Sequence, residues 1–251
     1  MPAVTLNRRR IVLLLTLATC GLALAGAAVG LASRWLELPS VPCDTLLDLR
    51  GEGNLPAYWS TALLLVAGLG LLLVGQAEAP RDRRQGRAWR ALGLIFLYLS
   101  ADECAQLHEL ARRVPRDWLP DSPLFYWPWV LFGAAAVIVL SVAFWRFLWA
   151  LPRDTRCHLV VAGGLYVGGA LGLELLGAAI EHNHWSEGLL VLEEAAEELL
   201  EMLGVVCLLH AVLCHLGRHT PPVSLQVEPD EREQAPELIE GAVRLTRSQP
   251  A

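Results

Sequence analysis

The sequence has 251 residues, of which 54% are hydrophobic, and its mean hydropathy is +0.42. This is too apolar for a soluble domain of such a length, so the composition predicts an integral membrane protein. The formal net charge of -6 owes much to an acidic segment at 228–240, and no basic stripe is visible, so nucleic acid is not an expected partner. The six cysteines contain no Cys-x-x-Cys pair, which argues against a disulfide framework.

Six apolar stretches of about 20 residues are each long enough to cross a bilayer as a helix. In chain order they are predicted at 11–32, 58–75, 91–110, 127–151, 158–180 and 194–216. The first stretch is longer than the apolar region of a typical signal peptide, so an uncleaved helix is expected. The predicted fold class is therefore all-α, a polytopic six-helix transmembrane bundle over residues 1–216. A disordered cytoplasmic tail is predicted at 217–251.

Arginines predict the orientation of these spans. They are concentrated at Arg8–Arg10, in the loop at 77–90, and at Arg153 and Arg156, which all fall on the same side of the membrane. Since basic residues mark the cytoplasmic side, both termini are predicted to be cytoplasmic. All 20 basic residues are Arg, a composition typical of a GC-rich bacterial genome, and the predicted location is the bacterial inner membrane.

Glycines recur every fourth residue in the fifth predicted span, at Gly164, Gly168 and Gly172. Such spacing lets the backbone of a neighbouring helix approach closely, and it predicts a packing seam.

Acidic residues recur seven positions apart in three of the spans. The pairs are Asp102 with Glu109, Glu174 with Glu181, and Glu194 with Glu201. Seven residues make about two helical turns, so each pair is expected on one face of its helix. Counted by rise per residue from the cytoplasmic ends, Asp102, Glu174 and Glu201 share one layer, and their partners form a second layer nearer the outer surface.

These acids are not explained as solvated helix ends. The apolar part of the last span, 202–216, is only about 22 Å long, against a hydrocarbon core near 30 Å, so an acidic turn must enter the bilayer. No basic residue lies at the same depth within the spans, and the nearest outward ones are Arg112 and Arg113. An isolated acid at a helix centre costs roughly 2.5–3.5 kcal/mol. Water, protons or bound cations must therefore compensate the acids.

The leading hypothesis is a divalent-metal site, because carboxylates with one or two imidazoles are ligands of zinc, iron and manganese. The residue types do not distinguish among these metals. The candidate ligands are Asp102, His108, Glu109, Glu174, Glu181, His182, Glu194, Glu197, Glu198 and Glu201. If the site is catalytic, a metal-activated water attacking a lipid-borne ester or amide is the expected chemistry.

Other interpretations stay open. The same acids suit a proton or cation relay, although the apolar inner halves of the spans argue against a continuous path. They also suit a non-enzymatic subunit with a solvated acidic vestibule that docks a periplasmic protein. A weaker soft-metal or haem hypothesis concerns Cys207, His210 and Cys214 near Cys157 and His158. Membrane lipids are the expected partners, and the sequence does not indicate a protein partner.

Two segments carry a resemblance. The stretches "LSADECAQLHE" from Leu99 and "LEEAAEELLEMLGVVCLLHAVL" from Leu192 resemble a group of uncharacterised bacterial multi-pass membrane proteins, with Ser-x-Asp-Glu…His-Glu and Glu-Glu…Glu-Met-Leu-Gly helices. This resemblance implies a shared polytopic fold and no particular activity. A looser similarity links Ser100, Asp102, His108 and His182 to the alkaline ceramidase-like membrane hydrolases, which would imply zinc bound by His and Asp. The surplus of Glu and the six spans depart from that pattern.

Overall fold

The computed structural model describes residues 7–35, 42–51, 53–108, 110 and 120–219, and the regular structure in these residues is helical. The helices are α1 (Arg8–Trp35), α2 (Pro42–Leu47), α3 (Leu55–Glu78), α4 (Arg83–Ala105), α5 (Trp129–Ala150), α6 (Arg153–Val167), α7 (Glu174–His182) and α8 (Glu187–His219). A short 3-10 turn spans Pro123–Phe125, and a π-helical segment, Gly168–Leu173, joins α6 to α7. The predicted all-α class is confirmed. From the predicted tail, residues 217–219 continue α8, and the remainder lies outside the described residues.

Five of the six long helical segments are long and apolar enough to cross a membrane. They are Arg8–Arg34, Leu55–Glu78, Trp129–Ala150, Arg153–His182 and Glu187–Arg218. The predicted third span lies in α4 and is not among them. Its uncharged apolar stretch begins after Arg90 and ends before Asp102 and Glu103, so it is too short. Large apolar side chains such as Val139 and Val142 on α5 are exposed, as expected of a surface that faces lipid.

Helices α3 and α4 form a closely packed hairpin. Asp82 caps α4 by accepting hydrogen bonds from the amides of Arg84 (2.8 Å) and Gln85 (3.1 Å). A Cβ atom added at Gly93 would lie 3.0 Å from the carbonyl oxygen of Gly68 on α3. The two backbones therefore pack closely through small residues. This contact fixes the position of the end of α4 that carries Asp102 and Glu103.

The predicted seam at Gly164, Gly168 and Gly172 is wrong. A Cβ atom added at any of the three would meet no described atom within 4 Å outside its own helical backbone and chain neighbours. Contact with α8 uses other positions: a Cβ at Gly204 would lie 2.7 Å from the Tyr166 amide nitrogen, and one at Gly169 would lie 2.8 Å from the Glu197 carbonyl oxygen. The regular four-residue spacing does not survive the π-helical segment, whose wider turn changes which residues face α8.

Helix α8 packs in the middle of the bundle, with Met202, Val205 and Ala211 almost fully buried. At the end of the bundle where α8 ends, it carries a buried polar group. His215 Nε2 lies 3.3 Å from Glu78 Oε1 on α3, and His215 Nδ1 is hydrogen-bonded to Thr155 Oγ1 on α6 at 3.1 Å. The ring of Trp89 on α4 packs against the His215 ring, with 5.0 Å between centroids. Four helices are thus joined at this end.

Candidate functional site

A cavity of about 530 Å³ lies between α4, α5, α8 and the continuous helix formed by α6, the π-helical segment and α7. We call it the acidic cavity, and the end of the bundle where α4 ends and α8 begins the acidic end. Nine carboxyl groups line it: Asp102, Glu103, Glu174, Glu181, Glu193, Glu194, Glu197, Glu198 and Glu201. Acids from three separate helical segments therefore face one another.

The α8 acids reach the cavity because of their spacing. Glu194, Glu197, Glu198 and Glu201 are three or four residues apart, so they lie along one face of the helix. That face meets the π-helical segment at Gly169, where an added Cβ would lie 2.8 Å from Glu201 Cγ. The close backbone approach brings Glu174, at the start of α7, beside the acids of α8.

Glu174, Glu193, Glu197 and Glu201 form the inner acidic group. Glu197 lies close enough to Glu174 and to Glu193 to share a proton with either, and Glu201 interacts with Glu174. Glu174 Oε1 also accepts a hydrogen bond from Trp129 Nε1 on α5 at 3.1 Å. Among the described residues, no Arg or His forms an ion pair with these four carboxyl groups.

Glu193 is a buried member of the inner acidic group, and one of its carboxyl oxygens lacks a hydrogen-bond partner among the described residues. Its exposure is 6%, and Oε1 has no hydrogen-bond donor among the described residues. Its side chain packs onto Gly177 of α7, where an added Cβ would lie 2.7 Å from Glu193 Oε2. A buried carboxyl oxygen without a donor is unfavourable, and a proton or a cation at this position would relieve that cost.

Arg50 lines the acidic end of the cavity. This residue lies in the loop between α2 and α3 and forms ion pairs with Glu181 on α7 and with Glu194 on α8, the latter at 3.3 Å from Nε to Oε1. The sequence named Arg112 and Arg113 as the nearest outward basic residues, whereas the structure shows that Arg50 pairs with these acids. The sequence did not predict this contact, because Arg50 lies in a loop outside the predicted spans. Arg112 and Arg113 lie outside the described residues.

The end of α4 differs from the predicted helix to residue 110. The helix ends at Ala105, because Gln106 adopts a left-handed conformation with φ 56°. The chain then turns back, and Asp102 accepts hydrogen bonds from the His108 amide (2.8 Å) and from His108 Nδ1 (3.1 Å). The helix that was predicted to carry both Asp102 and Glu109 is therefore shorter than expected. Glu109 itself lies outside the described residues.

The two predicted histidine ligands have different positions. His108 lines the acidic cavity, where its ring packs 5.1 Å from the Trp129 ring. His182 does not line it, and its Nε2 instead lies 3.0 Å from Asp121 Oδ1 in the segment before α5. Asp121 was not predicted as a site residue, because it lies in a predicted loop where no periodic pattern indicates the direction of a side chain.

No group of three His, Cys, Asp or Glu side chains among the described residues is arranged as a ready metal site. At the end of the bundle opposite the acids, Cys214 Sγ lies 3.3 Å from His210 Nε2, and the His158 and His210 rings are 5.0 Å apart. This places the predicted Cys and His residues of α8 near His158 without forming such a group.

Long apolar helices around a shared carboxylate cavity define a helical membrane protein with a polar site inside its bundle. The chain belongs to the family described as "Domain of unknown function (DUF8692)", whose model matches residues 7–216. No curated protein and no solved structure matches the chain. The family agrees with the resemblance to uncharacterised proteins, and these comparisons give no support to the similarity with ceramidase-like hydrolases.

Proposed function

We propose that this membrane protein binds a cation in the acidic cavity, and that the cation is a divalent metal such as zinc, iron or manganese. The observation that carries the proposal is the inner acidic group, in which Glu174, Glu193, Glu197 and Glu201 converge without an ion pair to Arg or His among the described residues. A divalent cation relieves the repulsion among such carboxylates and satisfies their oxygen atoms.

The ligands proposed from the structure are fewer than those from the sequence: they are the inner acidic group, which adds Glu193, and His108. Carboxylates of α7 and α8 face each other across the cavity, and His108 supplies an imidazole at its rim. Because no three of the described His, Cys, Asp or Glu side chains are preassembled around one point, metal binding requires the carboxyl groups of the inner acidic group to rearrange. His182 is left out of the proposed set, since it contacts Asp121 instead.

A proton relay is the second candidate. The closeness of Glu197 to both Glu174 and Glu193 favours it, since carboxyl groups that share protons can pass them on. This candidate needs protons and no metal, so the metal content of the pure protein separates the two.

The location and chemistry also belong to the proposal. The excess of Arg on the side opposite the acids supports an acidic end that faces the periplasm from a bacterial inner membrane. A bound metal would supply an activated water for hydrolysis of a lipid-borne ester or amide.

Elemental analysis of the detergent-purified protein tests the proposal. We expect about one zinc, iron or manganese per chain, lost in the Glu197→Gln, Glu201→Gln double variant. Glu187→Gln is the matched control, because Glu187 lies on the same helix with its side chain 80% exposed and does not line the cavity. Metal-free wild-type protein that also fails to take up added Mn²⁺, Zn²⁺ or Fe²⁺ would contradict metal binding and favour the relay.

A further inference from the structure

The acidic cavity continues past its carboxyl groups into an apolar part. We call this part the apolar limb, and it is lined by Leu92, Phe96, Phe144, Phe147, Leu159 and Leu208. On α8, Leu208 lies seven residues beyond Glu201, which is about 10 Å deeper. On α4, Leu92 lies ten residues before Asp102, which is about 15 Å. The cavity lining therefore has a charged head region and an apolar limb, whose deep end is formed by the buried residues Phe147, Leu159 and Leu208.

The cavity is also long. Its lining on α5 extends from Trp129 to Leu148, about 28 Å of helix. A volume of about 530 Å³ along this length accommodates a single extended chain.

We infer that the cavity binds a lipid-like amphiphile, with one alkyl chain in the apolar limb and a protonated amine head among the carboxyl groups. The inference deepens the proposed function: it relies on the same acids as a cation site and adds the apolar chain that carries the cation. The nine carboxyl groups carry enough formal negative charge to balance both an ammonium group and a divalent ion.

Charge selects the head group. A phosphate or carboxylate head would add repulsion to Glu174, Glu197 and Glu201, whereas an ammonium group is attracted by them. The ammonium group also brings three hydrogen-bond donors to a region where Glu193 Oε1 is buried without one. Charge-assisted hydrogen bonds of this kind are the stronger ones.

The side of the cavity between α5 and α6 suits the entry of such a ligand. Ala136 and Ser141 on α5 and Gly163 on α6 line the cavity and are exposed as well. These residues lie within the two apolar helical segments, at the level of the lipid chains rather than at a helix end. An amphiphile could therefore enter sideways from the bilayer, without its chain crossing water.

Two neighbouring glycines provide a matched pair of variants. An added Cβ meets no described atom within 4 Å at either Gly163 or Gly164. Gly163 lines the cavity, and Gly164 does not. Gly163→Leu therefore places a side chain in the cavity, while Gly164→Leu adds the same group to the same helix outside it. Neither substitution removes a carboxyl group, so both variants keep the proposed metal ligands.

The probes are three twelve-carbon amphiphiles with a photoreactive diazirine near the end of the chain: an amine, an alcohol and a carboxylic acid. The protein is reconstituted in phospholipid nanodiscs, irradiated with each probe and digested, and the labelled peptides are identified by mass spectrometry. We expect the amine to label peptides containing Phe144 or Leu159 at least about tenfold more than the acid. We expect Gly163→Leu to lose this labelling and Gly164→Leu to keep it.

Equal labelling by the three probes, or labelling unchanged in Gly163→Leu, would overturn the inference. Metal content is measured in the same preparations, and it separates the two proposals. Loss of probe labelling in Gly163→Leu with metal retained supports the amphiphile site, whereas absent labelling in a metal-loaded wild-type protein contradicts this inference alone.

Discussion

Arg50 forms an ion pair with Glu194, with 3.3 Å between Nε and Oε1, and thereby fastens the loop before α3 to the first turns of α8. The same guanidinium contacts Glu181 on α7. One residue thus bridges two acidic helices at the acidic end, and it supplies a fixed positive charge next to carboxyl groups that otherwise repel one another.

Replacing Arg50 is expected to destabilise the protein. Arg50→Ala should lower the free energy of unfolding by about 1 kcal/mol, because both ion pairs are lost but the Arg50 side chain is half exposed and screened by solvent. The measurement is a thermal or SDS-induced unfolding curve in detergent. A double-mutant cycle with Glu194→Gln should give a coupling of roughly 0.5 kcal/mol.

Arg34→Ala is the control for this variant. Arg34 pairs with Glu187 at the same 3.3 Å distance, but the Glu187 side chain is 80% exposed. Its loss should have a smaller effect, and an equal or larger effect would contradict the assignment of Arg50 as the main cation of the acidic end.

Gly204→Ala tests the contact between α6 and α8. An added Cβ would lie 2.7 Å from the Tyr166 amide nitrogen and 2.9 Å from the Ala162 carbonyl oxygen, so the helices must move apart. We expect a loss of about 1–3 kcal/mol of stability, measured by unfolding in detergent. Gly164→Ala on the facing helix should be neutral or stabilising by roughly 0.5 kcal/mol, since alanine favours the helix and meets open space. The reverse ranking would rule out this packing.

Asp102→Ala should release the segment that follows α4. The carboxylate holds the His108 amide and ring, so its removal leaves the turn without these bonds. Hydrogen–deuterium exchange of peptides covering 105–110 should become faster, by roughly fivefold for a bond of about 1 kcal/mol. Cys104→Ser, an exposed neighbour on α4, should leave the exchange unchanged. Unaltered exchange in Asp102→Ala would show that the turn does not depend on this carboxylate.

Thr155→Val tests the buried polar group at the opposite end of the bundle. The change keeps the shape of the side chain and removes the hydrogen bond to His215, whose ring is 2% exposed. A loss of roughly 1–3 kcal/mol in unfolding free energy is expected, because a buried ring nitrogen loses this partner. Thr16→Val is the matched control, since its hydroxyl donates to the Val12 carbonyl within one helix. Similar stability of the two variants would argue against a helix-joining role for Thr155.

Hydrophobic length predicted the six long helical segments, because a run of about 20 apolar residues has few other solutions in a bilayer. The convergence of acids such as Glu174 and Glu201 followed from depth counting, since the rise per residue is nearly constant along a helix. Features that depend on local backbone turns were missed. Nothing in the sequence separates Gln106, which ends α4, from an ordinary helical glutamine, and therefore Glu109 was placed on a helix that stops earlier.

Contacts made by loops were missed for a different reason. Arg50 and Asp121 lie in irregular segments, where no periodicity relates sequence position to direction. Glu193 is not among the ligands predicted from the sequence, because its contact with Gly177 depends on how α7 is rotated after the π-helical segment.

The π-helical segment at Gly168–Leu173 sets that rotation. Each residue of an α-helix turns the chain by about 100°, so deleting one residue there would swing Glu174 and Glu181 around their helix axis, away from α8. The acids of α7 would then no longer line the acidic cavity, although every acid would still be present in the sequence. The cavity therefore depends on the number of residues in this segment as well as on the acids themselves.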